Sequence, residues 1–187
     1  MKPAELLAIL HTAEHLKDVT RHAYTTGRRH ESVAEHSWRL CLMAFFLRDE
    51  FPAVDMDKVI RMGLIHDLGE IFTGDIPTFL KTDADTKTED DLLASWVATL
   101  PAPYREELAA LYEEMNALQT PEAKLYKSLD KLEAVIQHNE SPIDTWAENE
   151  YSLNLTYATD TVAFSQYLTA LRAAIREETE AKIAKGE

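Results

Sequence analysis

Apolar residues recur along most of this chain at intervals of three and four, the spacing of one face of an α-helix. Leu6, Leu7, Ile9 and Leu10 follow Pro3 and predict a helix to about Leu16. Leu40, Ala44 and Leu47 continue a stripe that begins at His36 and predict a second helix to about Arg48. Val59, Ile60, Leu64 and Ile65 carry a third helix to the adjacent pair His66-Asp67. Leu125, Leu129, Leu132 and Ile136 mark a later one, with Asp130 on its border. No segment carries the strict alternation of a strand.

Capping and breaking residues set the boundaries. Ser32-Val33-Ala34-Glu35 has the spacing of a capping box and opens the second helix, which ends before Pro52. Asp55 or Asp57 caps the third. Residues 17–31 are polar, locally basic and read as irregular, Thr73-Gly74-Asp75-Ile76-Pro77 as a turn, and residues 81–88 as a mobile loop. Thr88 and Asp91 predict a helix from Thr88 to Leu100. Pro101 and Pro103 break the chain before a helix to about Leu118. Thr120-Pro121 is a cap followed by proline, opening the helix through Asp130 to about His138. A short helix near Ile143–Glu148, an irregular stretch to Thr159 and a long helix from Asp160 to about residue 185 complete an all-α reading, with 1–187 as one domain.

Composition narrows the function. A length of 187 residues suits one domain with a sizeable core. The net charge of −14 disfavours a nucleic-acid polymer as partner but not a small phosphorylated ligand, since a metal and a local Arg or Lys overturn the global field. Cys41, the only cysteine, excludes an intrachain disulfide and reads as a buried small residue. The apolar run in Met1–Leu10 is too short for a signal peptide, and no run reaches a membrane span, so the expected location is the cytoplasm, with no membrane partner.

The chemistry concentrates in four residues. His36, His66, Asp67 and Asp130 each fall on or beside an apolar helical face. Buried imidazoles and carboxylates are costly unless something neutralises them. Helices that bring two histidines and two carboxylates together predict a divalent metal site of mixed nitrogen and oxygen ligands, which suits Mn, Fe, Co, Ni or Zn. Gly63, one turn before the pair, leaves room for an approaching helix or ion. Glu70, four residues after His66, is placed to orient a water or take its proton. Asp75, after Gly74, is a candidate second acid. His138 reads as a helix cap and Arg28, Arg29 and His30 as a solvated basic loop. Trp38, Trp96 and Trp146 read as core or interface aromatics.

The blocks E-S-V-A-E-H-S at 31–37, H-D-L-G-E at 66–70, T-G-D-I-P-T at 73–78 and S-L-D-K-L-E-A at 128–134 together resemble the HD-domain metal-dependent phosphohydrolases, most of all the small bacterial 5′-deoxynucleotidases. The resemblance covers residues from about 5 to 150. It implies a helical bundle of the HD type with one divalent metal held in its core by His36, His66, Asp67 and Asp130. It also implies Glu70 as the group that positions or activates water, Asp75 as a second catalytic acid, Arg21 on the substrate phosphate, and a homodimer. His22 stands where family members often carry Trp. Thr78 and Lys81 match the run after the proline and would border the phosphate or the entrance.

The expected activity is metal-dependent hydrolysis of (deoxy)nucleoside 5′-monophosphates to nucleoside and phosphate. The alternatives are a nucleoside triphosphohydrolase or nucleotide phosphodiesterase of the same superfamily, and a non-catalytic metal-containing sensor. A triphosphate tail calls for more clustered Lys and Arg than the chain carries. A structural metal site needs neither Glu70 nor Asp75.

Overall fold

The helices pack around a central one, α7 (Pro121–Glu140), whose Leu125, Leu129 and Leu132 are wholly buried. The structure, a computed structural model, describes residues 1–186. The chain runs through α1 (Pro3–Glu14), a two-stranded hairpin of β1 (Thr20–Tyr24) and β2 (His30–Ser32), α2 (Val33–Leu47), α3 (Met56–Ile65), the short α4 (Glu70–Thr73), α5 (Asp83–Val97) and α6 (Tyr104–Ala117). After α7 come α8 (Glu150–Thr156), the single turn α9 (Thr159–Val162) and α10 (Gln166–Lys185). α7 packs on α2, α3, α6 and α10. Among the described residues no helix is long and apolar enough to cross a membrane. The all-α expectation holds, with the hairpin as an addition.

The capping box at Ser32 forms as expected. Ser32 Oγ accepts from the Glu35 amide at 3.2 Å, and Glu35 Oε2 accepts from the Ser32 amide at 2.9 Å. Gly63 lets α2 and α3 close together, because a Cβ there would lie 2.2 Å from Leu40 Cδ2, a side chain with no exposed surface.

Several expectations are corrected. Residues 17–31 are not simply irregular, since the antiparallel hairpin pairs Thr20 with Ser32 and Tyr24 with His30. Its strands are polar, with only Ala23 buried on β1, so they carry no alternation to read. Tertiary bonds hold it, as the Tyr24 carbonyl accepts from Gln137 Nε2 and from the Ser141 hydroxyl, each at 2.6 Å. Residues 83–88 are helical, not a loop. Thr82 and Asp85 form the capping box instead of Thr88 and Asp91, and the exposed polar residues of the first turns hide the helix from an apolar-period reading.

The expected helix at 143–148 is only a 3₁₀ turn, Ile143–Thr145, and the stretch read as irregular holds α8. α8 buries the polar residues Glu150 and Asn154 one turn apart, which breaks the usual apolar stripe. The final helix is divided, with α9 ending before Ser165 caps α10. Trp146 is buried, but Trp38 is 63% exposed and is no core residue. Cys41 is half-buried, with its Sγ donating to the Ile60 carbonyl at 3.4 Å.

Candidate active site

His36 on α2, His66 and Asp67 at the end of α3, and Asp130 on α7 converge. His36 Nε2 lies 3.2 Å from His66 Nε2 and 3.2 Å from Asp130 Oδ1. His66 Nε2 lies 2.9 Å from Asp67 Oδ2 and 3.7 Å from Asp130 Oδ1. One ligand atom each from His36, His66 and Asp67 falls within a 4.8 Å span. The structure therefore gathers the four residues picked out in the sequence.

The opposite nitrogens of both rings are already engaged. His66 Nδ1 lies 2.9 Å from the Gly63 carbonyl, an acceptor that requires the hydrogen to be on Nδ1. His36 Nδ1 makes a short bond to Glu133, a carboxylate that is itself wholly buried and anchored by Arg39 Nε at 2.6 Å. Two neutral rings held this way point their Nε2 lone pairs at each other and at two carboxylates. Such an arrangement is repulsive unless a positive charge sits among the four groups. Without a metal, protons must supply it. Burial alone would lower His66, but Asp67 and Asp130 push it up to about 10. Burial and Arg21 would lower His36, but Glu133 and Asp130 raise it. The rings hold Asp67 well below the usual carboxylate range against its burial, and Lys127 on α7, with the two rings, does the same for Asp130. The donor set and its charge demand fit a divalent transition metal.

A cavity of about 370 Å³ opens onto this cluster. Asp67 and Asp130 line it together with Arg21, His22, Glu70, Asp75, Thr78 and Lys81, so the remaining candidates from the sequence reach the same space. The buried Glu70 has an Oε2 atom without a partner. Burial, Asp67 and Asp75 push its carboxyl up to about 10, and burial also raises Asp75. Arg21 is presented by β1 between Glu31, 3.3 Å from its Nε, and Asp67, 3.8 Å from its Nη1. Lys81 is held at 2.7 Å by Glu89. His22 lies 3.3 Å from Glu150. Arg28 and Arg29 instead pair with Asp144 and Glu35 and do not line the cavity.

Sequence reasoning missed several members. Lys127 donates to Asp130 at 2.7 Å and lines the cavity, but one lysine on a helix carries no signal. Glu133 does carry one, being an acid set within the apolar stripe of α7. Glu31 packs near His36 and Glu133. His138, read as a cap, instead sets its Nε2 3.4 Å from Glu150 and lines the cavity.

Comparison with known proteins agrees with this fold. A family model described as HD domain matches residues 13–172. The chain is 32% identical over 139 residues to the 5′-deoxynucleotidase HDDC2 of Homo sapiens, covering 72% of this chain and 67% of that protein. It is 33% identical to the Mus musculus protein of the same name, covering 73% and 70%. A crystal structure described as a predicted metal-dependent phosphohydrolase from Magnetospirillum magnetotacticum MS-1 superposes with a TM-score of 0.80 at 29% identity, covering 96% of this chain and 93% of that one. The chain belongs to the HD domain family.

A carboxyl raised by burial costs stability once it ionises. The Glu70 proton is retained in the fold but lost in the unfolded chain above the ordinary value of 4.5, so the stability of the metal-free protein falls as pH rises from there towards 10. Glu70→Gln should therefore stabilise the metal-free protein at pH 8 by roughly 1 kcal/mol or more, about 3 °C in melting temperature, with a smaller gain at pH 5. Thermal melting at the two pH values checks this. A variant less stable than the parent at pH 8 would contradict it.

Proposed function

We propose that this chain is a metal-dependent phosphomonoesterase that hydrolyses (deoxy)nucleoside 5′-monophosphates to nucleoside and phosphate. The observation that carries the reading is the convergence of two Nε2 lone pairs and two carboxylates beside a cavity that also contains Arg21, Lys127, Glu70 and Asp75. The relatives named 5′-deoxynucleotidase support the substrate class.

In this reading His36, His66, Asp67 and Asp130 would hold one ion of Mn, Fe, Co, Ni or Zn. Bound there, such an ion would supply a reactive water at neutral pH and neutralise phosphoryl charge. Arg21 binds the phosphate through its guanidinium, and Glu31 and Asp67 fix its direction. Lys127 adds charge beside Asp130. Thr78 and Lys81 border the entrance. Glu70 orients the attacking water and takes its proton, and Asp75 delivers a proton to the departing 5′-oxygen. Burial raises both carboxyls in the metal-free fold. A cation held by the four neighbouring residues would lower Glu70, leaving it ionised and free to accept a proton, while the raised Asp75 holds the proton it delivers. Triphosphates, diesters and a purely sensory role are outcomes of the test.

Residues 1–187 act as one domain, because one apolar cluster runs from Leu40 on α2 to Ile175 on α10. Nucleoside monophosphates are cytoplasmic metabolites, and the reading assigns the chain to that compartment. It also assigns a homodimer. Trp38, Leu42, Phe45 and Phe46 lie at helical spacing on the outer face of α2, with Phe46 73% exposed, and such a stripe marks an interaction surface.

Metal-stripped protein reloaded with each ion should release phosphate from deoxynucleoside 5′-monophosphates. Asp67→Ala should lose metal and at least about a hundredfold in rate. No phosphate release with any ion, or release of triphosphate from a nucleoside triphosphate, would sink the monoesterase reading. Sedimentation should give a dimer at micromolar concentration that Phe46→Glu converts to monomer, whereas a monomeric parent protein would contradict the interface.

A further inference from the structure

The cavity extends along one face of α7. Asp130, Ala134 and His138 succeed one another at steps of four, and all three line it. Eight residues of helix span about 12 Å, so Asp130 and His138 mark two ends of an elongated site. Ala134 between them is small and leaves width in the middle. A nucleotide held by its phosphate near Asp130 would extend its sugar over Ala134 and bring its base towards His138.

That far end is built from polar groups. Glu150 on α8 is 1% exposed. Its Oε2 accepts from the Ala147 amide at 2.6 Å, and its Oε1 faces His22 Nε2 at 3.3 Å and His138 Nε2 at 3.4 Å. With Nε2–H turned to the carboxylate, His138 Nδ1 is left as an acceptor, buried and without a partner. Asn154 follows Glu150 by one turn of α8, lines the same cavity and is 3% exposed. Its Nδ2 is a buried donor without a partner. The backbone around it is fixed independently, since Arg172 on α10 donates to the Asn154 carbonyl at 2.7 Å and to the Tyr157 carbonyl at 2.7 Å. Phe79 sets its ring edge-to-face with His22, at 5.8 Å between centroids, and lines the cavity there.

A buried donor with no partner costs stability, so a fold that retains one beside a cavity gains where a ligand completes it. We propose that this end of the cavity is a nucleobase subsite, in which Asn154 donates from Nδ2 to an acceptor on the base edge and Glu150 positions the His22 and His138 rings that flank it. Each nucleobase carries ring-nitrogen or carbonyl acceptors on a rigid planar edge, which a lone sugar phosphate lacks. Asn154 is then a specificity-determining residue and Glu150 a positioning residue. The inference rests on the proposed nucleotidase activity for its substrate class.

The test compares the parent protein with Asn154→Ala on deoxynucleoside 5′-monophosphates and on 2-deoxyribose 5-phosphate, which lacks the base. The variant should lose about tenfold in kcat/KM on the nucleotides, through KM, with no loss on the sugar phosphate. Its melting temperature should not fall, because the amide it loses has no partner in the free protein. Equal loss on both substrates, loss on neither, or a lower melting temperature with a general loss would overturn the subsite. Calorimetry with unphosphorylated deoxynucleosides reads the subsite without catalysis, and Asn154→Ala should weaken that binding by about tenfold. If the parent protein hydrolyses no nucleotide yet binds nucleosides in this Asn154-dependent way, the nucleotidase reading fails and the subsite stands. Nucleoside binding that is absent, or equal in the two proteins, overturns the subsite whatever the activity.

Discussion

The Glu133 carboxylate and the Gly63 carbonyl hold the outer nitrogens of His36 and His66, and the chemistry of the site depends on those two hydrogen bonds. Each fixes a ring by one nitrogen and so dictates what the other presents. The result is two Nε2 atoms 3.2 Å apart, their lone pairs facing Asp67 and Asp130, on buried rings where the repulsion is weakly screened. Such a cluster is a standing demand for a cation. The fold can keep it because the surrounding apolar contacts of α2, α3 and α7 are extensive, with Leu40, Val59, Met62, Leu125, Leu129 and Leu132 fully buried.

α7 is the element that ties the demand to a substrate. It carries Asp130 to the cluster with His36, His66 and Asp67, Glu133 to the back of His36, Lys127 beside Asp130 and His138 to the far end of the cavity. Gln137 and the following Ser141 bind the Tyr24 carbonyl, which anchors the hairpin that presents Arg21 and His22. One helix thereby sets the distance between the histidine–carboxylate cluster, the guanidinium and the distal polar wall. The negative charge of the whole chain is countered where it matters by Arg21, Lys127 and Lys81, each held in place by an acidic partner.

Much of this site was legible in the sequence for a physical reason. His36 and Asp130 lie on or beside apolar stripes, and a polar residue there must be satisfied by something specific, which is a readable signal. Ser32 and Glu35 announced the start of α2 because capping is local chemistry. The hairpin was not legible, since its five- and three-residue strands are polar and are held by contacts from residues more than a hundred positions away. α8 was missed for a related reason, because it buries Glu150 and Asn154 against a cavity and so lacks an apolar face. The start of α5 was displaced because Thr82-Asp85 and Thr88-Asp91 share the same capping spacing, and local pattern alone does not choose between them. Glu133 could have been found, since a glutamate inside the α7 stripe needs a partner as much as His36 does.

The most direct test is to titrate metal-stripped protein with Mn or Zn, counting the ions bound and reading the coordinating atoms by X-ray absorption. One ion per chain is expected, with two imidazole nitrogens among its ligands, and Glu133→Gln, which leaves His36 without its anchoring carboxylate, should lower the affinity about ten- to hundredfold. No saturable binding, or an ion surrounded by oxygen alone, would contradict it.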